Sequence, residues 1–261
     1  MYGRALVGAK HCEPERNIFM KLNKTFDHHV HTGQFYEDYF EPHKVIKTLS
    51  ANGLKGCWFS STTSCMSWSN GTEKTYLRNH IRDEVKEALE TAKKLNFDAK
   101  AFYWVNLDEY LQEIDKKECT LQDYFNSSIN EVEYYGIKIH TRFNYWDINN
   151  ENVIEIFNLV CEYAKDHNMP ILIHCGPDEC DRPDRFKKWF EEYNEVRFIL
   201  AHMRPVDTTI KMMKKYNNVW TDTAFAPDES VEKVFSEGLG ERVLYGTDYP
   251  LNKGVYNEKD F

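Results

Sequence analysis

Thr25-Phe26-Asp27-His28-His29-Val30-His31-Thr32-Gly33 is the stretch on which the reading of this chain turns. It reads as a short strand that ends in histidines. Side chains alternate between the two faces of a strand. His29 and His31 therefore point one way, with Asp27 further back on that side, and His28 and Val30 point the other. Two imidazoles at i and i+2 near a strand end are placed to hold one metal ion between them. A surface patch of histidines is the plain alternative, and the rest of the chain decides between the two.

Outward from this stretch, apolar strand-like runs alternate with helical patterns. Strands are expected over 54–60, 99–105, 136–140, 170–174, 197–202, 219–223 and 242–246, and helices over 42–52, 79–95, 121–135, 153–167, 184–193, 206–216 and 230–238. Helical spacing is clear at Val45, Ile46 and Leu49, and at Val85, Ala88, Leu89, Ala92 and Leu95. The strands are short and mostly apolar, as a parallel sheet buried on both faces requires. With the first strand, this alternation predicts an α/β fold, a (β/α)8 TIM barrel in a single domain. Only thirteen residues follow Asp248, so a full final helix is not expected. An open doubly wound sheet is the alternative, but it would more often carry a Gly-rich phosphate turn after its first strand. Here His29-Val30-His31 stands in that place. Residues 1–24 read as an N-terminal extension and 25–261 as the barrel. Loops after the first three strands, about 32–41, 61–78 and 106–120, are expected to shape the pocket.

Composition narrows the class. The 261 residues carry 33 Lys and Arg against 42 Asp and Glu, a formal net charge of −9. Phosphate binding needs basic patches, so nucleic acid is not the expected partner. No apolar run is long enough for a membrane span, and residues 1–22 show no apolar secretory core. The seven cysteines are scattered, odd in number and without a Cys-x-x-Cys pair. That pattern fits reduced thiols in a cytoplasmic protein.

The polar residues fall where a barrel would use them. In this fold the strand C-termini converge on one mouth, and catalytic groups sit there. The first strand ends at His29 and His31, the fourth at His140, the fifth at His174, the sixth at His202 and the eighth at Asp248, so five of ten histidines lie at strand ends. Clusters of His and Asp converging on a pocket are metal or catalytic sites. Imidazole nitrogens with one carboxylate suit zinc, and also iron or manganese. Asp248 is placed to touch the metal and accept a proton, and His202 either to bind the metal or to polarise substrate and water.

Asp27-x-His29-x-His31, Gly136-Ile-Lys-Ile-His140, Ile173-His174, Leu200-Ala-His202 and Gly246-Thr-Asp248-Tyr-Pro250 together resemble the amidohydrolase superfamily, in particular its compact metal-dependent hydrolases and decarboxylases. The resemblance spans about residues 25–250. It implies that His29, His31, His174 and Asp248 bind metal, that Asp248 is also the general base, and that His202, in members with one metal, is either a catalytic histidine or one that stands behind the ligands. In some members a lysine at the end of strand four bridges two metals. Lys138 stands two residues deeper than His140, and a buried lysine paired with Asp27 or another carboxylate is the preferred reading. A second-metal ligand at Lys138 stays open, with one Zn2+ preferred and Mn2+ or Fe2+ as alternatives.

Substrate contacts are expected from His140, Arg142, Arg204 and Asp222. Either arginine could fork a substrate carboxylate. The reading is a metal-dependent hydrolase in which a metal-activated water attacks a C–N, ester or lactone bond of a small molecule. A non-oxidative decarboxylase of a small aromatic or unsaturated acid uses the same ligands, and a non-catalytic metal-binding barrel is the third reading. The short C-terminus leaves room for a homo-oligomer.

Overall fold

Each short apolar run became a strand because both of its faces are covered, one by the barrel interior and one by helices. The computed structural model describes residues 22–66, 74–116, 119–143 and 146–257. The expected extension over 1–24 therefore lies almost wholly outside the described residues. Elements run β1 (Phe26–Phe35), β2 (Asp38–Phe40), α1 (Pro42–Ala51), β3 (Gly56–Ser61), α2 (Thr63–Met66), α3 (Lys74–Leu95), β4 (Asp98–Val105), α4 (Leu107–Lys116) and α5 (Leu121–Ile129). They continue β5 (Gly136–Ile139), α6 (Glu151–Asp166), β6 (Ile171–Ile173), α7 (Lys187–Glu192), β7 (Phe198–Leu200), α8 (Val206–Lys215), β8 (Val219–Asp222), α9 (Asp228–Ser236) and β9 (Val243–Leu244).

The sheet order is β2-β1-β3-β4-β5-β6-β7-β8-β9. All neighbours pair in parallel except β1 with β2. The residues after β9 then return to β1. His28 N donates to Tyr245 O, Asp248 N to His29 O and His31 N to Tyr249 O, each at 2.8 Å. These bonds draw the last strand against the first, so the parallel sheet curls back on itself as the barrel reading requires.

Three local features depart from the expected pattern. The first strand is longer than expected and folds over into a hairpin, Gly33 pairing with Phe40 and Phe35 with Asp38. The stretch 106–120, expected as a loop, contains α4, whose Tyr110 is fully buried beside Phe125. The expected helix at 184–193 is a 3-10 turn over Pro183–Phe186 followed by the short α7.

After β9 the described chain forms no further helix or strand, only a parallel bridge of Tyr249 to Val30 and turns. This segment packs along the seam between first and last strands. Asn257 N donates to Asn52 Oδ1 at 3.1 Å, and Tyr256 OH donates to Asp27 Oδ2 at 2.8 Å. No helix of the described residues is long and apolar enough to cross a membrane.

The core has two parts. Trp58, Phe102, Leu172, Ile199 and Ala201 fill the barrel beneath the site. A larger cluster lies between sheet and helices, with Phe157 of α6 fully buried against Trp146, Phe186 and Trp189. Truncating such a side chain loses its transfer free energy and leaves a cavity. Phe157→Ala is expected to lower stability by about 3–5 kcal/mol, read as a shift in the urea midpoint at unchanged slope.

Candidate metal centre

The first strand does not keep strict alternation. Asp27 pairs with Cys57 and Val30 with Phe59, so β1 carries one extra residue between these pairs, a bulge. The bulge turns two successive histidines inward. His28 lies 4.5 Å from the Trp58 ring inside the barrel, and His29 joins His31 above it. The expectation that His28 faces away from His29, and that Asp27 shares its side, is thereby corrected. Asp27 sits between β1 and the final segment, accepting from Thr247 Oγ1 at 2.5 Å and from the backbone N–H groups of His29 and Thr247 at 3.1 Å. Burial pushes its carboxyl up to about 7, against the pull of those hydrogen bonds.

His29 is held at both ring nitrogens. Its Nδ1–H donates to Asp222 Oδ2 at 2.8 Å. Its Nε2 is left with the lone pair, 3.1 Å from Asp248 Oδ1 and 3.2 Å from Lys138 Nζ. His31 Nε2 lies 3.0 Å from the same Asp248 oxygen, and its Nδ1 meets Ser60 Oγ at 3.2 Å. Among the described residues, His29, His31 and Asp248 thus bring three donor atoms together, all buried. Asp248 has a φ of 64°, the left-handed region, and its N–H is tied to His29 O. That tie fixes the carboxylate against both imidazoles.

His202 follows β7 on a tight turn with φ 72°. Its Nδ1–H donates to Ala224 O at 2.9 Å, so its Nε2 accepts from His174 Nδ1 at 3.0 Å. His174 is left with a lone pair on Nε2. The converging donor groups do not include His174. Its Nδ1 is engaged by His202, and its ring lies flat on His140, 3.8 Å between centroids. Trp104 stacks on the other side of His140 at 5.3 Å.

Burial dominates the electrostatics. It lowers His29, His140 and His174, and takes His202 down to about 4, with Lys138 adding to the effect at each. Burial also lowers Lys138, against the pull of Asp248 and Asp222. Burial opposes ionisation of Asp248, but the imidazoles of His29 and His31 outweigh it and hold the carboxyl well below its usual value. Burial thus favours neutral rings at His29, His140, His174 and His202 beside an ionised Asp248, the protonation state in which such groups ligate metal. The donor set therefore fits a divalent ion.

The centre opens into a cavity of about 690 Å³, whose lining includes His29, His31, Lys138, His140, His174, His202 and Asp248. Arg142 and Arg204 also line it. Arg142 is mostly exposed, 3.5 Å from Asp178, and Arg204 donates to Phe225 O at 2.5 Å. Lys138 is buried against His29, and the carboxylates that act on it are Asp248 and Asp222 rather than Asp27. Asp222, expected to touch substrate, does not line the cavity. Its Oδ2 holds His29, and its Oδ1 accepts from His202 N and Ala224 N at 3.0 and 3.1 Å. It orients a ligand, as outer carboxylates of metal sites do. Sequence reasoning did not pick out Phe35, Tyr36, Phe143 and Phe225, which form the aromatic rim. No pattern marks them, because they come from the hairpin after β1 and from two separate irregular turns.

A parallel barrel with histidines and an aspartate at its C-terminal mouth defines a metal-dependent enzyme of the TIM-barrel class. The chain belongs to the amidohydrolase family, whose profile matches residues 127–260, and is in general terms a metal-dependent hydrolase. No curated protein matches it. Among solved structures it resembles the phosphotriesterase homology protein from Escherichia coli, complexed with phosphate in its active site. The TM-score is 0.57 at 11% identity, over 89% of this chain and 87% of that one. A mutant organophosphorus hydrolase from Deinococcus radiodurans gives 0.51 at 12%, over 85% and 74%. N-acetylneuraminate lyase from Mycoplasma synoviae gives 0.50 at 14%, over 85% and 68%. At these identities the likeness is one of fold.

Proposed function

We propose that the protein hydrolyses a C–N, ester or lactone bond in a small molecule at a single divalent metal, zinc in the first instance. The observation that supports this most is that His29 Nε2 and His31 Nε2 lie 3.1 and 3.0 Å from one oxygen of Asp248, all three residues lining an open cavity. These three groups, with His174 as a further ligand through its unprotonated Nε2, would hold the ion. When bound, a divalent ion supplies Lewis acidity and lowers the pKa of water towards about 7. Lys138 is the candidate for a second metal, should two ions bind per chain.

The chain's own groups divide the remaining work. Asp248, ionised and fixed by its tie to His29 O, accepts the proton of the attacking nucleophile. His202 is oriented by Ala224 and passes a lone pair towards His174, so it positions that ring and lines the cavity beside the reacting atoms. His140 accepts from Phe143 N at its Nδ1 and so carries its proton on Nε2, a neutral donor for a substrate oxygen. Arg142 and Arg204 suit an anionic substituent.

Those arginines also favour a second reading, decarboxylation of a small aromatic or unsaturated acid held through its carboxylate. The open cavity counts against a purely structural metal, whose ligand shell would be closed.

The test is a screen of chelator-treated and zinc-reloaded protein against amides, esters, lactones and carboxylic acids. Zinc-dependent hydrolysis is the expected result. Carbon dioxide release from an acid, with no hydrolysis, would establish the second reading instead. Inertness towards every panel member would leave the non-catalytic barrel.

A further inference from the structure

Glu84 lies on α3, outside the candidate centre, yet only 2% of it is exposed. Its carboxylate gathers groups from several elements. Ser61 Oγ of β3 donates to Oε2 at 2.7 Å, and Thr63 Oγ1 of α2 donates to Oε1 at 2.9 Å. His80 Nε2, one turn earlier on α3, is 3.2 Å from Oε1, and Tyr39 of β2 adds a hydrogen bond from its side chain. Burial pushes the carboxyl up, and these donors pull it back.

The cluster reaches the main chain of the hairpin. Gln34 N donates to Thr63 Oγ1 at 2.8 Å, so Thr63 relays a bond from the hairpin backbone to the buried carboxylate. Gly33 lies directly over this cluster at φ +86°. A Cβ there would stand 2.5 Å from Thr63 Oγ1 and 2.8 Å from both Glu84 Oε2 and Ser61 Oγ. Only glycine combines that backbone conformation with that approach. The hairpin so seated places Phe35, Tyr36, Asp38 and Phe40 on the cavity. It also reaches across the mouth, Phe35 and Tyr36 lying 5.8 and 6.2 Å from the Phe143 ring, which in turn packs on His140.

We infer that Glu84 is a positioning residue for substrate fit: through Thr63 and Ser61 it seats the 33–40 hairpin as one wall of the pocket. The inference uses the cavity as the substrate site and so rests on the proposed function for its meaning. Its geometry needs no metal. A buried carboxylate with hydroxyl donors aimed at it is a rigid anchor, because each donor loses its acceptor if the anchor goes.

Hydrogen exchange by mass spectrometry tests it on four proteins: wild type, Glu84→Gln, Thr63→Val and Thr63→Ser. In Glu84→Gln and Thr63→Val, amides of 33–40 are expected to exchange about tenfold faster or more, with peptides of β5 to β8 unchanged. Thr63→Ser keeps the hydroxyl and is expected to exchange as wild type. Unchanged hairpin exchange in Glu84→Gln would overturn the inference. So would an acceleration spread evenly over the barrel, or a serine variant as loose as the valine one. Metal content is read on the same samples. Its absence from wild type bears on the metal reading alone, while the hairpin peptides decide this one.

Discussion

A His29→Ala/His31→Ala protein is expected to hold no divalent metal, against about one ion per wild-type chain. Asp222 is buried and ionised and can only accept, so it takes the Nδ1 proton of His29 and turns the Nε2 lone pair towards Asp248. His31 presents its Nε2 to the same carboxylate oxygen. The His29 lone pair and the carboxylate repel one another unless a positive charge lies between them. Lys138 Nζ stands 3.2 Å from His29 Nε2, but burial works against its charge. Removing both imidazoles leaves only Asp248 and the further proposed ligand His174, too few for a stable shell. Elemental analysis of protein dialysed against buffered zinc reads the result. A second reading comes from melting temperature. An ion present at about a thousand times its dissociation constant stabilises the folded state by about 4 kcal/mol. Zinc should therefore raise the melting temperature of the wild type and leave that of the double variant unmoved. Equal zinc in both proteins would sink the site as drawn.

What could be read from the chain was whatever depends on a regular period. The buried parallel strands show as short apolar runs because both their faces are covered, and the barrel follows from their alternation with helices. The candidate site was legible for a related reason: His140, His174 and Asp248 follow strand ends, and His31 comes at the end of the parallel part of β1, and strand ends share one mouth. Features that break the period were not legible. The bulge in β1 inverts the side on which Asp27 and His28 fall, and one inserted residue leaves no compositional mark. The left-handed turns at His202 and Asp248 aim their side chains through backbone conformation, which residue type alone does not announce. The partnership of Asp222 with His29 joins positions 193 residues apart and exists only once the sheet has curled. The hairpin at 33–40 leaves no strand signal in the sequence because its second strand spans only three residues.

Asp248→Asn should lower turnover of the substrate returned by the screen by about 10³-fold at saturating zinc. The substitution preserves shape. The backbone bond from residue 248 to His29 O and the φ of 64° do not depend on the carboxylate, so the amide would occupy the same place beside both imidazoles. What disappears is the charge and the capacity to take a proton. A general base contributes about 10²–10⁴-fold, and replacing a carboxylate by an amide removes that contribution entirely. Zinc content must be measured in parallel, because Asp248 is also a proposed ligand. With both imidazoles retained and zinc in excess, occupancy should stay near that of wild type while turnover falls. His202→Asn provides the comparison. That ring acts through its bond to His174, so its loss should cost less turnover than loss of the carboxylate. If Asp248→Asn with full zinc occupancy kept activity within about tenfold of wild type, Asp248 would be a ligand and the proton acceptor would lie elsewhere. His202, which lines the same cavity beside His174, would then be the next group to replace.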